Sequence, residues 1–156
     1  MSLPKLGSKA PAFSAPTQTG EIVSLKELLL QDKPVVLFFY PKDDTPGCTV
    51  EACSFRDAYA TLRKKATLLG VSPDPADKHE KFAAKFKLPY PLLADTEKEI
   101  VAAYGVWIEK ALYGKKYMGV ARTTFIIDAK GKIAKIFEKV KPEGHAGEVL
   151  AALKDL

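Results

Sequence analysis

The sequence predicts one α/β domain, a three-layer sandwich in which helices cover both faces of a mixed central sheet. The first observation is size, because 156 residues of which 47% are hydrophobic can build one core but hardly two. The second is the continuous apolar run VVLFFY at 35–40, which is typical of a strand buried on both faces of a sheet. The third is the alternation of strand and helix patterns that follows it, without repeats or a linker. We therefore expect a single domain over residues 1–156.

The first elements follow one another as strand, helix, strand and helix. Pro41 ends the apolar run, and residues 49–65 read as a helix. The segment ATLLGVSPD then predicts a second buried strand. In DKHEKFAAKFK, Phe82 and Phe86 have the spacing of one helix face, which predicts the second helix.

The last third of the chain predicts antiparallel strands and a terminal helix. A helix is expected over residues 96–104, followed by RTTFIID, the turn AKG and KIAKIF, which together form a hairpin. The segment PEGHAGEVLAALKDL predicts the closing helix. His79 and His145 are expected to face solvent on their helices.

Charge and hydropathy exclude several classes of protein. The net charge of +5 comes from lysines scattered along the chain among acidic residues, so we expect a solvated basic surface and no nucleic-acid partner. Apolar runs are far shorter than the roughly 18 residues that span a bilayer, and the N-terminal segment lacks a secretory pattern. We expect a cytoplasmic protein without a membrane partner.

The two cysteines, Cys48 and Cys53, are too few for a disulfide framework, and the histidines are too distant in sequence for a zinc site. Cys48 follows Gly47 at the start of a predicted helix, where free backbone N–H groups favour an anion such as a thiolate. Lowering the pKa of a cysteine from about 8.5 to about 6 requires roughly 3.4 kcal/mol. A helix end usually contributes about 0.3 to 1 kcal/mol, so a cationic side chain is needed as well.

Three arginines are candidates for that cation. Arg56 and Arg63 lie along the same predicted helix, away from its N-terminus, whereas Arg122 begins the predicted strand RTTFIID. If that strand pairs near the first strand, its arginine reaches the loop before Cys48. We therefore favour Arg122.

The spacing of the two cysteines opposes a disulfide within a folded helix. Residues five apart on a helix have Cα atoms roughly 8.6 Å apart, whereas a disulfide tolerates at most about 7 Å. A bond between Cys48 and Cys53 therefore requires the first turns of the helix to unwind. The alternative is that Cys53 is a buried core residue, since cysteine is among the most buried residue types.

Pro41, Thr45 and Cys48 fit the pattern P-x-x-x-T-x-x-C, and YPKDDTPGCTVEACSFRD resembles the peroxiredoxins, in particular the PrxQ or bacterioferritin comigratory protein branch. The resemblance extends over nearly the whole chain and implies a thioredoxin-like fold with an N-terminal hairpin. It implies that Cys48 is the peroxidatic cysteine and Cys53 the resolving cysteine.

The same resemblance assigns the neighbouring residues. Thr45 and Arg122 are expected to orient the peroxide and activate the thiolate, while Pro41 shields the substrate pocket and Gly47 lies at it. The role of Glu51, one turn from Cys48, stays open between a solvated residue and a partner of an arginine.

The implied reaction is reduction of hydrogen peroxide or organic hydroperoxides through a Cys48 sulfenic acid and an intramolecular disulfide. Thioredoxin or a similar dithiol is the expected reductant, no metal or other cofactor is required, and a monomer suffices. Two alternatives stay open, a thioredoxin-like disulfide oxidoreductase and a binding module with structural cysteines.

Overall fold

A computed structural model describes residues 2–156 and contains short strands, five helices and a central sheet in that part of the chain. In chain order the elements are β1 (Ser14–Pro16), β2 (Ile22–Ser24), α1 (Leu25–Leu29), β3 (Val35–Phe39), α2 (Pro46–Leu62), β4 (Thr67–Ser72), α3 (Ala76–Phe86), β5 (Leu92–Ala94), α4 (Glu99–Ala103), β6 (Trp107–Leu112), β7 (Lys115–Val120), β8 (Thr123–Ile127), β9 (Ile133–Phe137) and α5 (His145–Leu153).

The central sheet has five strands in the order β5-β4-β3-β8-β9. The β3, β4 and β5 strands run parallel, while β8 pairs antiparallel with β3 and β9 antiparallel with β8. Two further antiparallel pairs, β1–β2 and β6–β7, form small separate sheets. The predicted mixed sheet and the predicted hairpin over RTTFIID and KIAKIF are thus confirmed.

The β3 strand separates two apolar cores. Val35, Leu37 and Phe39 point to one face, where α1, α4 and the N-terminal segment pack. Val36 and Phe38 point to the other, where α2, α5 and one side of α3 pack. Because side chains of a strand alternate between faces, a continuous apolar run fills both layers, as expected from the sequence.

Several boundaries differ from the predictions. The α2 helix begins at Pro46, where proline fits the first helical position because its missing N–H would have no partner there. The helix expected over 96–104 shortens to Glu99–Ala103. The sequence reading missed α1 and the β6–β7 hairpin, whose mostly exposed residues lack an apolar alternation. Within residues 2–156, no helix is both long and apolar enough to cross a membrane.

Candidate active site

The pairing of β3 with β8 brings the two parts of the site together. Phe39, the last residue of β3, lies opposite Thr123, the first residue of β8. The chain leaves β3 through the loop that starts at Pro41 and enters β8 from Arg122, so both reach the same edge of the sheet. The N-terminus of α2, which carries Cys48, follows that loop directly.

The first turn of α2 presents free backbone donors at Cys48. Thr45 is the N-cap, and the first helical bond runs from Thr49 N to Thr45 O over 2.9 Å. The N–H groups of Gly47 and Cys48 therefore have no partner within the helix. Cys48 is only 2% exposed, so an anionic sulfur there would depend on protein donors rather than on water.

Arg122 supplies the cation at this sulfur. Its Nη2 donates a hydrogen bond to Cys48 Sγ over 3.4 Å, and its Nη1 donates to Glu51 Oε1 over 2.7 Å. A Cβ at Gly47 would lie 3.1 Å from Arg122 Nη2, so the glycine leaves room for the guanidinium. Although burial opposes it, the neighbouring Cys48 and Glu51 raise the pKa of Arg122, which keeps the guanidinium charged.

Glu51 is a buried partner of the arginine and not a solvated helix residue. Its side chain is fully buried, and its second oxygen, Oε2, has no hydrogen-bond partner among the described residues. Burial raises the pKa of Glu51 to about 7, and the ion pair with Arg122 opposes that rise only in part. Of the two roles that the sequence left open for Glu51, the structure shows the partner of an arginine.

Thr45 and Pro41 lie in the segment between β3 and Cys48. The Thr45 hydroxyl donates to Lys42 O over 2.9 Å, because a carbonyl can only accept. The hydroxyl proton of Thr45 is therefore already in a hydrogen bond. The lone pairs of the same oxygen can still accept a hydrogen bond from the O–H of a bound hydroperoxide. Pro41 is half-buried and borders an open cleft of about 470 Å³ beside Trp107 and Met118.

Cys53 lies five residues further along α2 and is half-buried, so it is not the fully buried core residue of the alternative reading. The neighbouring Val50 is 42% exposed, which shows that this face of the helix is partly open. Both cysteines are free thiols. Tyr90 donates to Ala52 O over 2.7 Å and so ties the helix to the core at the residue before Cys53.

A buried polar network that sequence reasoning missed anchors the loop before Cys48. Asp43 accepts from Tyr40 through Oδ1 at 2.6 Å, and its Oδ2 lies 2.6 Å from His79 Nδ1. The other His79 nitrogen lies 2.9 Å from the Leu93 carbonyl, and Asp43 N donates to Asp74 over 2.8 Å. The expectation that His79 faces solvent was wrong, because its ring is completely buried. His79 lies three residues before Phe82, on the apolar face of α3, and this spacing could have predicted that the histidine is buried.

The same cluster brings together side chains of the kinds that can bind metal ions. Asp43, Asp74 and His79 offer ligand atoms within 4.8 Å of one another. Asp43 Oδ2 lies 2.6 Å from His79 Nδ1, and Asp74 Oδ2 accepts from the backbone N–H of Asp43 and, over 2.7 Å, from the Ser72 hydroxyl. These hydrogen bonds account for the grouping of Asp43, Asp74 and His79.

His145 is the second histidine whose predicted exposure was wrong. It is fully buried at the N-terminus of α5, with Nε2 2.8 Å from Thr124 Oγ1 and Nδ1 3.1 Å from Glu148. Its ring stands edge-on to Phe55 of α2 and to Phe137. Burial lowers the pKa of His145, so a neutral imidazole packs under the active-site helix.

Comparison with known proteins places the chain in a family. Residues 6–136 match the AhpC/TSA family. A putative peroxiredoxin Bcp of Coxiella burnetii is 47% identical over 150 residues, which are 96% of this chain and 98% of that protein. Peroxiredoxin Bcp of Bacillus subtilis is 45% identical over 153 residues, 97% of this chain and 96% of that protein.

Solved structures of similar proteins have the same fold. PrxQ of Xylella fastidiosa superimposes with a TM-score of 0.92 at 31% identity, covering 99% of this chain and 98% of that one. The bacterioferritin comigratory protein of Xanthomonas campestris, studied for alkyl peroxide reduction, superimposes with a TM-score of 0.86 at 36% identity, covering 92% of this chain and 90% of that one.

Proposed function

The chain belongs to the AhpC/TSA family and is a peroxiredoxin, a thiol peroxidase, and from this premise we propose that Cys48 is the thiol that peroxide oxidises. The 3.4 Å hydrogen bond from Arg122 to the Cys48 sulfur carries the proposal. Hydrogen bonds to a charged group contribute about 1.5 to 3 kcal/mol, more than the helix end alone supplies. Together they favour the thiolate, which is the nucleophilic form of cysteine.

The first step is attack of the Cys48 thiolate on one oxygen of a hydroperoxide. The S–O bond forms, the O–O bond breaks, and the departing oxygen takes the electron pair. It leaves as water or an alcohol after taking a proton from solvent, which replaces the proton that the thiol released on ionisation. In the proposed step, Arg122 and the backbone N–H of Cys48 stabilise the negative charge that develops on the departing oxygen. Thr45, whose own proton is engaged with Lys42 O, accepts the peroxide O–H and so orients the substrate. We include both hydrogen peroxide and organic hydroperoxides as substrates.

Pro41 and Gly47 shape the pocket around the sulfur without taking part in bond changes. We propose that Pro41 shields the sulfur from water, while Gly47 leaves room for Arg122. A dry site strengthens the interaction between the guanidinium and the thiolate.

The second step is condensation of the Cys48 sulfenic acid with the Cys53 thiol, which forms the disulfide and releases water. With both residues on an intact helix, their Cα atoms are roughly 8.6 Å apart, beyond the roughly 7 Å that a disulfide allows. The N-terminal turns of α2 therefore unwind before the bond forms. A thiol reductant then restores both thiols by exchange, and we propose thioredoxin for this role.

The assignment needs no second chain, because both thiols lie in one helix. We accordingly propose that a monomer completes the cycle. A cytoplasmic location also belongs to the proposal, since reducing systems there keep cysteines as thiols.

The test is one cycle of reduced protein with an equimolar amount of hydrogen peroxide. We expect peroxide to disappear within seconds and the intact mass to fall by two hydrogens, as a disulfide forms. Cys48→Ser should abolish peroxide loss, and Cys53→Ser should retain it while accumulating the sulfenic or sulfinic form of Cys48. A Cys48→Ser variant that still consumes peroxide would contradict the assignment.

The same experiment separates the alternatives. A disulfide oxidoreductase would leave peroxide untouched while exchanging with a dithiol, and a binding module would show neither reaction. Family membership and the absence of a Cys-x-x-Cys pair in the sequence favour the peroxidase.

A further inference from the structure

The peptide unit that joins Lys42 to Asp43 is held from both of its sides. Its N–H, which belongs to Asp43, donates to Asp74 Oδ2 over 2.8 Å. Its carbonyl, which belongs to Lys42, accepts the Thr45 hydroxyl over 2.9 Å. Because a peptide unit is planar and rigid, the buried network is connected through this one plane to the hydroxyl that is proposed to orient the hydroperoxide. The direction of the Thr45 lone pairs therefore depends on how firmly the plane is fixed.

His79, on α3, fixes the residue that supplies this N–H. Its Nδ1 lies 2.6 Å from Asp43 Oδ2, and its Nε2 lies 2.9 Å from the carbonyl of Leu93. A carbonyl can only accept, so Nε2 carries a proton. A second proton lies between Nδ1 and Oδ2, because two facing lone pairs so close would repel each other. The histidine ring therefore bridges β5 and the loop, with a hydrogen bond at each nitrogen.

These hydrogen bonds lie away from water. His79 is completely buried, and Tyr40 and Asp43 are nearly so. Tyr40 donates to Asp43 Oδ1 over 2.6 Å, so both oxygens of the carboxyl group have partners. A bond lost at such a place is not replaced by one to bulk water, and its loss is therefore costly. The loop needs this support, because Asp44 has a φ of 57°, a left-handed conformation that residues with a side chain rarely adopt.

The contacts that favour the thiolate take a separate route through the fold. Arg122 reaches the sulfur of Cys48 from the start of β8, which is held by its pairing with β3. Within residues 2–156, the hydrogen bonds of the guanidinium go to Cys48 and Glu51 and not to the network around His79. A change in that network should therefore alter the position of Thr45 and leave the ionisation of the thiol in place.

We propose that His79 is a positioning residue of the peroxidase, which acts through Asp43 to aim the Thr45 hydroxyl at the bound hydroperoxide. The proposal deepens the proposed function and rests on the roles proposed there for Cys48 and Thr45. His79 touches no substrate, and none of its bonds changes in the reaction. Its contribution should appear in the reduction of peroxide, which uses Thr45, and not in alkylation of Cys48, which uses only the thiolate.

The experiment compares His79→Asn with His79→Gln in a Cys53→Ser background. The amide nitrogen in His79→Asn lies near the former position of Nδ1 and can still donate to Asp43. The amide nitrogen in His79→Gln lies near the former position of Nε2 and can reach only the Leu93 carbonyl. Two second-order rates are measured at pH 7 by mass spectrometry, the oxidation of Cys48 by hydrogen peroxide with dimedone as the trap, and its alkylation by iodoacetamide.

We expect the two variants to differ in oxidation and to agree in alkylation. His79→Gln should slow oxidation about three- to ten-fold, as the loss of one hydrogen bond does, and His79→Asn should stay within about twofold of the parent. Alkylation should stay within about twofold in both variants, because the bond from Arg122 to the sulfur is intact. A general loosening of the fold would instead change both rates together.

A second pair of variants tests the other bond of Asp43 and decides the question if a His79 variant fails to fold. Tyr40→Phe removes the donor to Asp43 Oδ1. Tyr104→Phe, the control, removes a bond of 2.7 Å from an equally buried tyrosine to the Pro11 carbonyl, in the other core. We expect Tyr40→Phe to slow oxidation about three- to five-fold and Tyr104→Phe to react at the parent rate.

Three results would overturn the proposal. His79 does not act through Asp43 if His79→Asn and His79→Gln slow oxidation alike, if alkylation slows as much as oxidation, or if the two tyrosine variants are oxidised at the same rate. A parent protein that is alkylated but not oxidised by peroxide would refute the proposed function of Cys48, and this inference with it. A parent that is oxidised while the variants show none of these differences would refute the inference alone.

Discussion

The two halves of α2 are held in place by different kinds of contact. The N-terminal half, residues 46–53, buries Cys48 and Ala52 in the core but also depends on polar bonds, chiefly those from Arg122 to Cys48 and Glu51. The C-terminal half, residues 54–62, depends on apolar packing. There Phe55 stacks on Phe38 with ring centroids 4.6 Å apart and meets the edge of His145 at 5.6 Å.

The difference explains how one helix can serve both steps of the reaction. Oxidation of a thiolate to a sulfenic acid removes the negative charge that Arg122 binds, so the polar half loses part of its stabilisation. Apolar burial around Phe55 does not change with that charge. We expect the helix to open only up to about Cys53, which frees both sulfurs and preserves the core.

The largest expected effect tests the apolar half. Phe55→Ala removes a fully buried ring between Phe38 and His145 and should lower the free energy of unfolding by about 3 to 5 kcal/mol. Val50→Ala, at a 42% exposed position of the polar half, should cost no more than about 0.5 kcal/mol. Urea unfolding followed by circular dichroism measures both, and equal losses would show that the two halves are not held differently.

The next effect tests the polar half through its reactivity. Arg122→Met removes the donor to the sulfur and should slow peroxide reduction about 10²- to 10³-fold, as loss of a donor to developing negative charge does elsewhere. Arg63→Met, at the exposed C-terminal end of the same helix, should leave the rate within about twofold. Single-turnover kinetics at pH 7 measure the rates, and a comparable loss in both variants would refute the special position of Arg122.

A smaller effect concerns pH. Burial raises the pKa of Glu51 in the folded protein to about 7, from an ordinary value near 4.5. Between these values the folded state holds a proton that the unfolded chain has released, so this stabilisation is complete below about pH 4.5 and is lost as pH rises through about 7. The loss should be on the order of 3 kcal/mol.

Glu51→Gln should remove this pH dependence. We expect the difference in unfolding free energy between the parent and the variant to change across pH 4.5 to 7.5, in favour of the variant at the higher pH. Urea midpoints at several pH values measure it. A constant difference between the two proteins would show that Glu51 binds no extra proton in the fold.

The smallest effect concerns the border between the two halves. Tyr90→Phe removes the hydrogen bond to Ala52 O, whose loss should cost about 0.5 to 1.5 kcal/mol, and so should raise the opening of the first turns about two- to ten-fold. Hydrogen exchange of the amides of residues 49–53 measures the opening. Tyr59→Phe, on the neighbouring ring 5.8 Å away, is the matched control. Unchanged exchange in Tyr90→Phe would show that this bond does not limit the unwinding.

Much of the fold follows from local patterns in the chain. The run at 35–40 predicts a strand buried on both faces because it has no polar position, and Phe82 with Phe86 predicts the apolar face of α3. The β6–β7 hairpin could not be predicted in the same way. Its residues are mostly exposed, so no burial pattern marks it, and its place beside the cleft that Pro41 borders is visible only in three dimensions.

The candidate site likewise has a part that the sequence predicts and a part that it does not. Pro41, Thr45 and Cys48 are close in sequence, so the motif and the helix that follows it predict their proximity. His79 was predicted to face solvent, and the role of Glu51 was left open, because burial of a polar residue depends on whether a distant group satisfies it. Asp43 and Arg122 are those groups, 36 and 71 residues away along the chain.

By itself the sequence determined that a cysteine stands at the start of a helix, with a second one too far along it to bond without unwinding. Helix geometry is local, so spacing alone decides that point. Only the tertiary structure decided which charges surround the sulfur. Arg122 reaches Cys48 and Glu51 because β3 pairs with β8, and the strength of an electrostatic interaction depends on distances and burial that sequence separation does not report.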